Sequence, residues 1–172
     1  KSSIAISEKF KKSNNWFFDK NISGGGVVIG FGCHLINLLV YLFGEEESVK
    51  SFTGSFFTKG IEDYSLALIK FKENLICSLE MSWSKYNIRL TLSSIEINGS
   101  NGRMNITRDQ MTLFLNKSIN GYSTGLSVFT LADLYQGVEF FVGGTDYSKL
   151  DIDFIDSINN ADNNNWLINY ND

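Results

Sequence analysis

The most informative segment of the chain reads SGGGVVIGFGCHLINLLVYLFG, from Ser23 to Gly44. It begins with three consecutive glycines, which interrupt regular structure and mark a turn. The apolar run from Cys33 to Phe43 predicts a short helix, with Gly44 as the residue that ends it. The segment therefore predicts a glycine-rich turn that leads into one mostly apolar helix.

Polar side chains recur along one side of this helix. His34, Asn37 and Tyr41 have helical spacing, and His34 is the only histidine in the chain. The other faces carry Leu, Ile, Val and Phe residues suited to burial. A histidine can transfer a proton near neutral pH, although a lone histidine near a helix start is more often structural or merely exposed. Upstream glycines such as Gly30 would let another group approach the backbone closely.

From Val49 to Asn116 the apolar residues alternate with period two, which is typical of half-buried strands. A later helix is predicted behind Asp146 as its N-cap, because apolar residues from Tyr147 to Ile158 follow with helical spacing. We therefore expect residues 1–172 to form one α+β domain, with an open, mainly antiparallel sheet of about five to six strands and helices packed on one face. The expected strands are Ser51–Thr58, Tyr64–Phe71, Leu75–Trp83, Ile88–Ile97, Arg103–Thr107 and Gln110–Leu115.

Composition narrows the functional classes. A net charge of −4 gives no basic footprint for nucleic acid, and we expect no apolar run to reach the roughly 18–20 residues of a membrane span. Two cysteines suit a reducing, cytoplasmic setting and do not form a metal-ligand cluster. The glycines fit neither a G-x-G-x-x-G frame nor a P-loop, so we expect no metal and no cofactor-binding residues in this chain.

The segment from Ser23 to Leu39 resembles the C-terminal domain of the Gfo/Idh/MocA oxidoreductases, which include inositol and nucleotide-sugar dehydrogenases. That family has a Gly-Gly-Gly run, apolar residues, an Asp, a His and a second Asp in this order. Further features of this chain follow the family order: Trp16, Leu42-Phe43-Gly44-Glu45, Glu62-Asp63, Met81-Ser82-Trp83, Ile97-Asn98-Gly99-Ser100-Asn101-Gly102 and Asp153-Phe154-Ile155-Asp156-Ser157-Ile158.

The resemblance implies an activity and its partners. In the family a Rossmann domain, absent from these 172 residues, binds most of the NAD or NADP, and a sugar or polyol lies between the two domains. His34 would then be the catalytic, proton-transferring residue. Asn37, Tyr41 and Gly30 would line the substrate site. The family also implies a homo-oligomer that associates through the sheet face.

Two positions depart from the family pattern. Gly30 stands in place of the first motif Asp, and Asn37 stands in place of the second. One branch of the family with a Gly-Glu-x-Cys-His stretch is similar to residues 30–34, although Phe31 replaces its Glu. Three hypotheses stay open: the substrate-binding domain of an NAD(P)-dependent oxidoreductase, a non-catalytic sheet module for subunit association, or a fragment of a degenerate family member.

Overall fold

The computed structural model describes residues 2–5, 16–85, 92–134, 137 and 145–159. The chain divides into two compact units, Lys1–Thr130 and Leu131–Asp172. The first unit contains the sheet and the helix that follows the glycines. Its helical elements are a 3-10 turn (Trp16–Phe18), α1 (Lys20–Ser23), a π-helical segment (Val28–Gly32) and α2 (Cys33–Phe43). Its strands are β1 (Ser2–Ala5), β2 (Glu46–Gly54), β3 (Tyr64–Phe71), β4 (Ile76–Ser82), β5 (Leu92–Gly99), β6 (Gly102–Thr107), β7 (Gln110–Leu115) and β8 (Gly125–Thr130).

The described strands form one sheet in the order β2-β3-β4-β1-β5-β6-β7-β8. Every neighbouring pair is antiparallel except β1 with β4, which run parallel. An antiparallel block of three strands and another of four are therefore joined by the short strand β1. The predicted α+β class with an open, mainly antiparallel sheet is confirmed.

The predicted number of five to six strands is wrong, because the described residues contain eight. β1 has only four residues, too few to show a period, and it forms through pairing with residues about ninety positions away, such as Ser2 with Ile95. β8 was missed because both of its faces carry apolar residues, which hides the alternation. The first predicted strand is also displaced, since β2 covers Glu46–Gly54 instead of Ser51–Thr58.

Alternate residues of β3 and β4 build the core of the first unit. On one face of these strands the side chains are buried, and α2 contacts this face through Leu35 and Leu39. Burial of each such leucine contributes about 1.5–3 kcal/mol. Helix packing on one face is thus confirmed for α2, which the sheet holds by its buried side. The other core residues are Val27, Ala67, Ile69, Phe71, Cys77, Leu79, Met81 and Trp83.

The opposite face of the same strands is largely uncovered among the described residues. Phe52 of β2 is 80% exposed, and its cross-strand partner Leu66 of β3 is 39% exposed. Leu68 and Ile76 on this face are 54% and 71% exposed. We call Phe52, Leu66, Leu68 and Ile76 the outer patch.

The second unit contains α3 (Leu131–Leu134) and α4 (Thr145–Asn159) within its described part. α4 confirms the predicted late helix, but it begins at Thr145, so Asp146 lies inside the first turn rather than at the N-cap. The apolar residues that predicted α4 are all more than half exposed. They are Tyr147, Leu150, Phe154, Ile155 and Ile158.

By length and composition alone, the helical segment Lys20–Phe43 could cross a membrane, and it is the only such helix in the described ranges. It has 24 residues, and 28% of its most apolar window is buried. The expectation that no apolar run reaches this length is therefore wrong. Core helices meet the same criterion, and this segment is interrupted by a left-handed Gly24 (φ +77°). Its contacts with β3 and β4 account for part of its apolar character.

Candidate functional site

The helix that carries His34 begins at a cluster of hydrogen bonds to Glu62. The Gly26 amide donates to the Glu62 Oε1 atom at 2.7 Å, and the Val28 amide donates to the same oxygen at 3.3 Å. The Val27 amide donates to the main-chain oxygen of Glu62 at 2.9 Å. A helix N-terminus has unpaired amides and a partial positive charge, so a carboxylate is a favourable acceptor there. Glu62 therefore caps this helix from a distant part of the sequence.

The glycines of the segment allow the backbone to lie directly against its neighbours. A Cβ atom on Gly26 would lie 1.9 Å from the Glu62 main-chain oxygen, and one on Gly32 would lie 2.2 Å from the Met81 sulfur. Neither distance is compatible with a side chain in this arrangement. The two glycines therefore let the backbone pack directly against strand β4 and against the residues just before β3.

Gly30 faces an aromatic cluster centred on Trp83. A Cβ atom on Gly30 would lie 2.8 Å from the Cζ2 atom of Trp83. Trp83 is 5% exposed, and its ring makes edge-to-face contacts with Phe17, Phe18 and Phe31 at centroid distances of 6.1–6.5 Å. The indole ring thus fills the space into which a side chain at position 30 would extend.

The predicted polar face of α2 is exposed. His34, Asn37 and Tyr41 are all solvent-exposed, and Tyr41 is 71% exposed. The structure brings these three residues onto one side of the helix, away from Leu35 and Leu39. Gly30 differs from them, because a Cβ atom at this position would point toward Trp83 and not toward solvent.

The other apolar residues of α2 are not all buried. The structure confirms the expected burial for Leu35 and Leu39, which are 7% and 2% exposed. The expectation is wrong for Val40 and Leu42, which are 38% and 47% exposed. α2 therefore buries a narrow stripe and leaves most of its circumference open.

Asp63 organises the loop between β2 and β3. Its carboxylate is 1% exposed and accepts hydrogen bonds from the amides of Phe56, Phe57 and Thr58 at 2.6–2.9 Å. The Thr58 hydroxyl donates a further bond to it at 3.2 Å. A buried carboxylate needs such donors, since its desolvation is costly without them. Asp63 is thus fully engaged in holding this loop.

Sequence reasoning did not assign a structural role to Glu62 or Asp63. The signal in the sequence was that two acidic residues stand next to each other immediately before an alternating strand. Such a pair suggests that the carboxylates have partners in the folded chain. Their partners lie as many as 36 residues away for Glu62 and within a loop of no regular pattern for Asp63. No local rule could have identified these partners.

A cavity of about 300 Å³ lies between α2 and the inner face of β2, β3 and β4. The helix contributes Ile36, Leu39 and Val40 to its wall, and Ser65 contributes a buried hydroxyl. His34, Asn37, Tyr41 and Gly30 do not line this cavity. The predicted site is therefore an exposed face of α2 and is separate from the cavity.

The backbone amides at the end of the glycine run already have acceptors. Phosphate sites at helix N-termini use free backbone amides. Here the amides of Gly26, Val27 and Val28 donate to Glu62. A dinucleotide would have to displace a carboxylate of the protein itself to bind at this point.

Comparison with known proteins places these features in a family context. A family model described as the GFO/IDH/MocA C-terminal domain matches residues 3–105, which is more than half of the chain. This range includes the glycine segment, α2, Glu62 and strands β2 to β5, together with parts of β1 and β6. No protein in a search of curated sequences matches the chain.

Several solved structures share the fold. Levoglucosan dehydrogenase in complex with NADH and L-sorbose is similar with a TM-score of 0.73 at 18% identity, over 91% of this chain and 48% of that chain. An oxidoreductase domain protein from Kribbella flavida gives 0.70 at 15% identity, over 91% and 48%. An oxidoreductase from Agrobacterium radiobacter in complex with NAD+, L-tartaric acid and magnesium gives 0.63 at 11% identity, over 93% and 46%. The chain spans about half the length of each of these proteins.

Proposed function

The chain belongs to the GFO/IDH/MocA family, as its C-terminal domain, and on this premise we propose that it is the substrate-binding domain of an NAD(P)-dependent oxidoreductase. Its substrate would be a sugar, nucleotide-sugar or cyclitol hydroxyl. The proposal requires a second, Rossmann-type domain that carries most of the nicotinamide cofactor. The solved structures similar to this chain include complexes with NADH or NAD+, and L-sorbose is present in one of them.

The exposed side of α2 carries the proposal. His34, the only histidine of the chain, lies on this side with Asn37 and Tyr41, at the start of a helix whose N-terminus is capped. An imidazole can accept the hydroxyl proton of the substrate as the carbon gives up a hydride. A bound nicotinamide supplies the hydride acceptor. Asn37 and Tyr41 would donate and accept hydrogen bonds with neighbouring hydroxyl groups.

The proton balance of this step is simple. Oxidation of the alcohol breaks one C–H and one O–H bond and forms a carbonyl group. With a nicotinamide bound to take the hydride, the proton would pass to the His34 imidazole, which would then return it to solvent. Because Gly30 and Asn37 replace the two family carboxylates, His34 is the group that we assign to this transfer in the chain. The family resemblance adds a lysine from the Rossmann domain as a second proton-transfer group.

Gly30 limits how this site can be altered. The indole of Trp83 occupies the space of a side chain at position 30, so a carboxylate could not be restored there without moving Trp83. We therefore propose that Gly30 contributes only its backbone to the substrate site.

The test uses the full-length protein that contains this chain. Its reading frame should include a G-x-G-x-x-G unit, and the purified protein should reduce NAD+ or NADP+ with a panel of sugars and cyclitols, followed at 340 nm. The His34→Ala variant should lower kcat/KM by about 10²- to 10⁴-fold, the usual contribution of a general base. Lys50→Ala, an exposed change on β2, is the matched control and should leave kcat/KM unchanged. A reading frame without a nucleotide-binding unit, or wild-type kcat/KM in His34→Ala, would contradict the proposal.

Self-association through the sheet is a second candidate function. The outer patch exposes four large apolar side chains on adjacent strands, and Phe56 extends it, since its ring packs against Tyr64 with centroids 5.8 Å apart. Contiguous apolar surfaces of this kind mark association sites. We propose that two copies pack through this face as a homo-oligomer.

The exposed Cys33 thiol and the buried Cys77 thiol are both free, which suits the cytoplasm that we propose as the location.

Light scattering during size-exclusion chromatography tests the association. The wild-type chain should elute with at least twice the monomer mass, and Phe52→Glu should shift it to the monomer because a charge would be buried in the contact. Lys117→Glu, at an exposed position after β7 and outside the outer patch, controls for added negative charge. A wild-type chain that stays monomeric at high concentration would rule out this interface.

A further inference from the structure

Glu62 holds the start of the His34 helix by three consecutive amides. The carboxylate oxygen Oε1 accepts from Gly26 at 2.7 Å and from Val28 at 3.3 Å, and the main-chain oxygen accepts from Val27 at 2.9 Å. Three bonds to one residue fix both the axial position and the rotation of the first helical turn. We call Glu62 and these three amides the helix clamp.

The backbone next to Glu62 is itself held by hydrogen bonds to the sheet. Asp63, the next residue, donates its amide to Gly54 at 2.9 Å and accepts the amide of Trp83 at 2.7 Å through its main-chain oxygen. These bonds connect the start of β3 to the end of β2 and to the residue after β4. Glu62 therefore lies where the ends of three strands meet, and its hydrogen bonds fix the helix start relative to these strands.

Near His34 the helix is also held by the packing of its buried side against the core. Between the clamp and α2 lies the π-helical segment Val28–Gly32, whose i→i+5 turn brings the buried residues Val27 and Gly32 onto one side of the helix. Gly32 then lies directly against the Met81 side chain. Leu35, directly after His34, and Leu39 continue this buried side.

We propose that Glu62 is a positioning residue for His34. His34 lies eight residues beyond Gly26 in the same continuous helical stretch. Loss of the carboxylate frees two of the three clamped amides and allows the helix start to shift. A displacement of about 1 Å of a catalytic group can reduce a rate by about 10²-fold. The catalytic consequence rests on the proposed function of His34, whereas the clamp itself does not.

The structural part of the proposal is tested on the 172-residue chain by NMR, because His34 gives the only histidine ring signals. Glu62→Ala should speed hydrogen exchange of the Gly26 and Val28 amides by at least about tenfold and shift the His34 ring signals. Glu62→Gln keeps an oxygen acceptor of the same length and should restore both properties. Glu62→Asp keeps the charge but withdraws the oxygen, so it should resemble Glu62→Ala.

Glu80→Ala is the matched control. Glu80 is a half-buried glutamate on β4 that pairs with Lys85 at 3.1 Å and does not contact the helix start. It should leave the His34 signals and the two amides unchanged. If Glu62→Ala, or Glu62→Asp should the alanine variant not fold, also leaves them unchanged, the clamp has no positioning role and the proposal is overturned.

The catalytic part is tested in the full-length protein. Glu62→Ala should lower kcat by about 10- to 100-fold with little change in KM, because the helix start moves while the hydroxyl contacts of Asn37 and Tyr41 persist. Glu62→Gln should recover most of kcat. Wild-type kcat in Glu62→Ala would overturn the positioning role. Altered NMR signals in Glu62→Ala together with wild-type activity in His34→Ala would instead reject the proposed function and leave the clamp as a structural feature.

Discussion

The buried and exposed sides of α2 differ in what holds them in place. On the buried side, Leu35 and Leu39 contact the inner face of the sheet, and the glycines before them lie against Glu62 and Met81 at distances that admit no side chain. On the exposed side, His34 and Tyr41 project into solvent. One helix thus combines a sterically restricted surface with an open one.

This difference separates stability from the proposed chemistry. Substitutions on the buried side must disturb close contacts with the sheet, so they change the free energy of unfolding. Substitutions on the exposed side remove groups that the fold does not use, so their effect should appear only in substrate binding or catalysis. Variants on the two sides can therefore be used to test the separation.

The largest effect is expected for Gly26→Ala. The added Cβ would lie 1.9 Å from the main-chain oxygen of Glu62, which cannot move away as a flexible side chain could. We expect a loss of about 5 kcal/mol or more in the free energy of unfolding, measured by urea denaturation. Gly99→Ala is the control, since its nearest neighbour would be at 3.9 Å, and it should be neutral or stabilise by up to about 1 kcal/mol. Equal stability of the two variants would contradict the close contact.

A smaller effect is expected for Leu39→Ala. This side chain is 2% exposed, and its removal should cost about 2–5 kcal/mol through lost burial and an enlarged cavity beneath the helix. Leu42→Ala on the same helix is the control, because Leu42 is 47% exposed and should cost less than about 1 kcal/mol. Thermal unfolding followed by circular dichroism measures both. If Leu42→Ala proves as costly as Leu39→Ala, the assignment of the two sides of α2 is wrong.

The smallest effect is expected for Tyr41→Ala and His34→Ala. Both residues are exposed, and neither substitution should change the free energy of unfolding by more than about 0.5 kcal/mol. Chemical denaturation of the 172-residue chain measures this directly. A loss of 2 kcal/mol or more, on the order expected for a buried residue, would show that the exposed side also supports the fold, and kinetic effects of these variants would then need correction for stability.

Several elements could be predicted from the sequence because their causes are local. α2 occupies Cys33–Phe43, as predicted, and Gly44 ends it with φ +78° while its amide donates a hydrogen bond to the main-chain oxygen of Val40. β3 and β7 also match their predicted bounds, Tyr64–Phe71 and Gln110–Leu115. Apolar periodicity and terminal glycines act over a few residues, so they can be recognised in the sequence without knowledge of the fold.

The family assignment was also available from the sequence, since the glycine run and His34 lie within fifteen residues of one another. The same segment predicted that His34, Asn37 and Tyr41 share one side of the helix. It gave no information about Trp83, which fills the space beside Gly30 from 53 positions farther along the chain.

Only the tertiary structure decided how distant segments meet. It inserted β1 between β4 and β5, parallel to one and antiparallel to the other, and it brought Glu62 to the amides of Gly26 and Val28. Strand order and capping by a distant residue depend on which surfaces are buried together, because each group must find a hydrogen-bond partner in the folded chain. Local sequence determined the helix and the identity of its polar residues, whereas the folded sheet determined where that helix begins and which of its sides faces solvent.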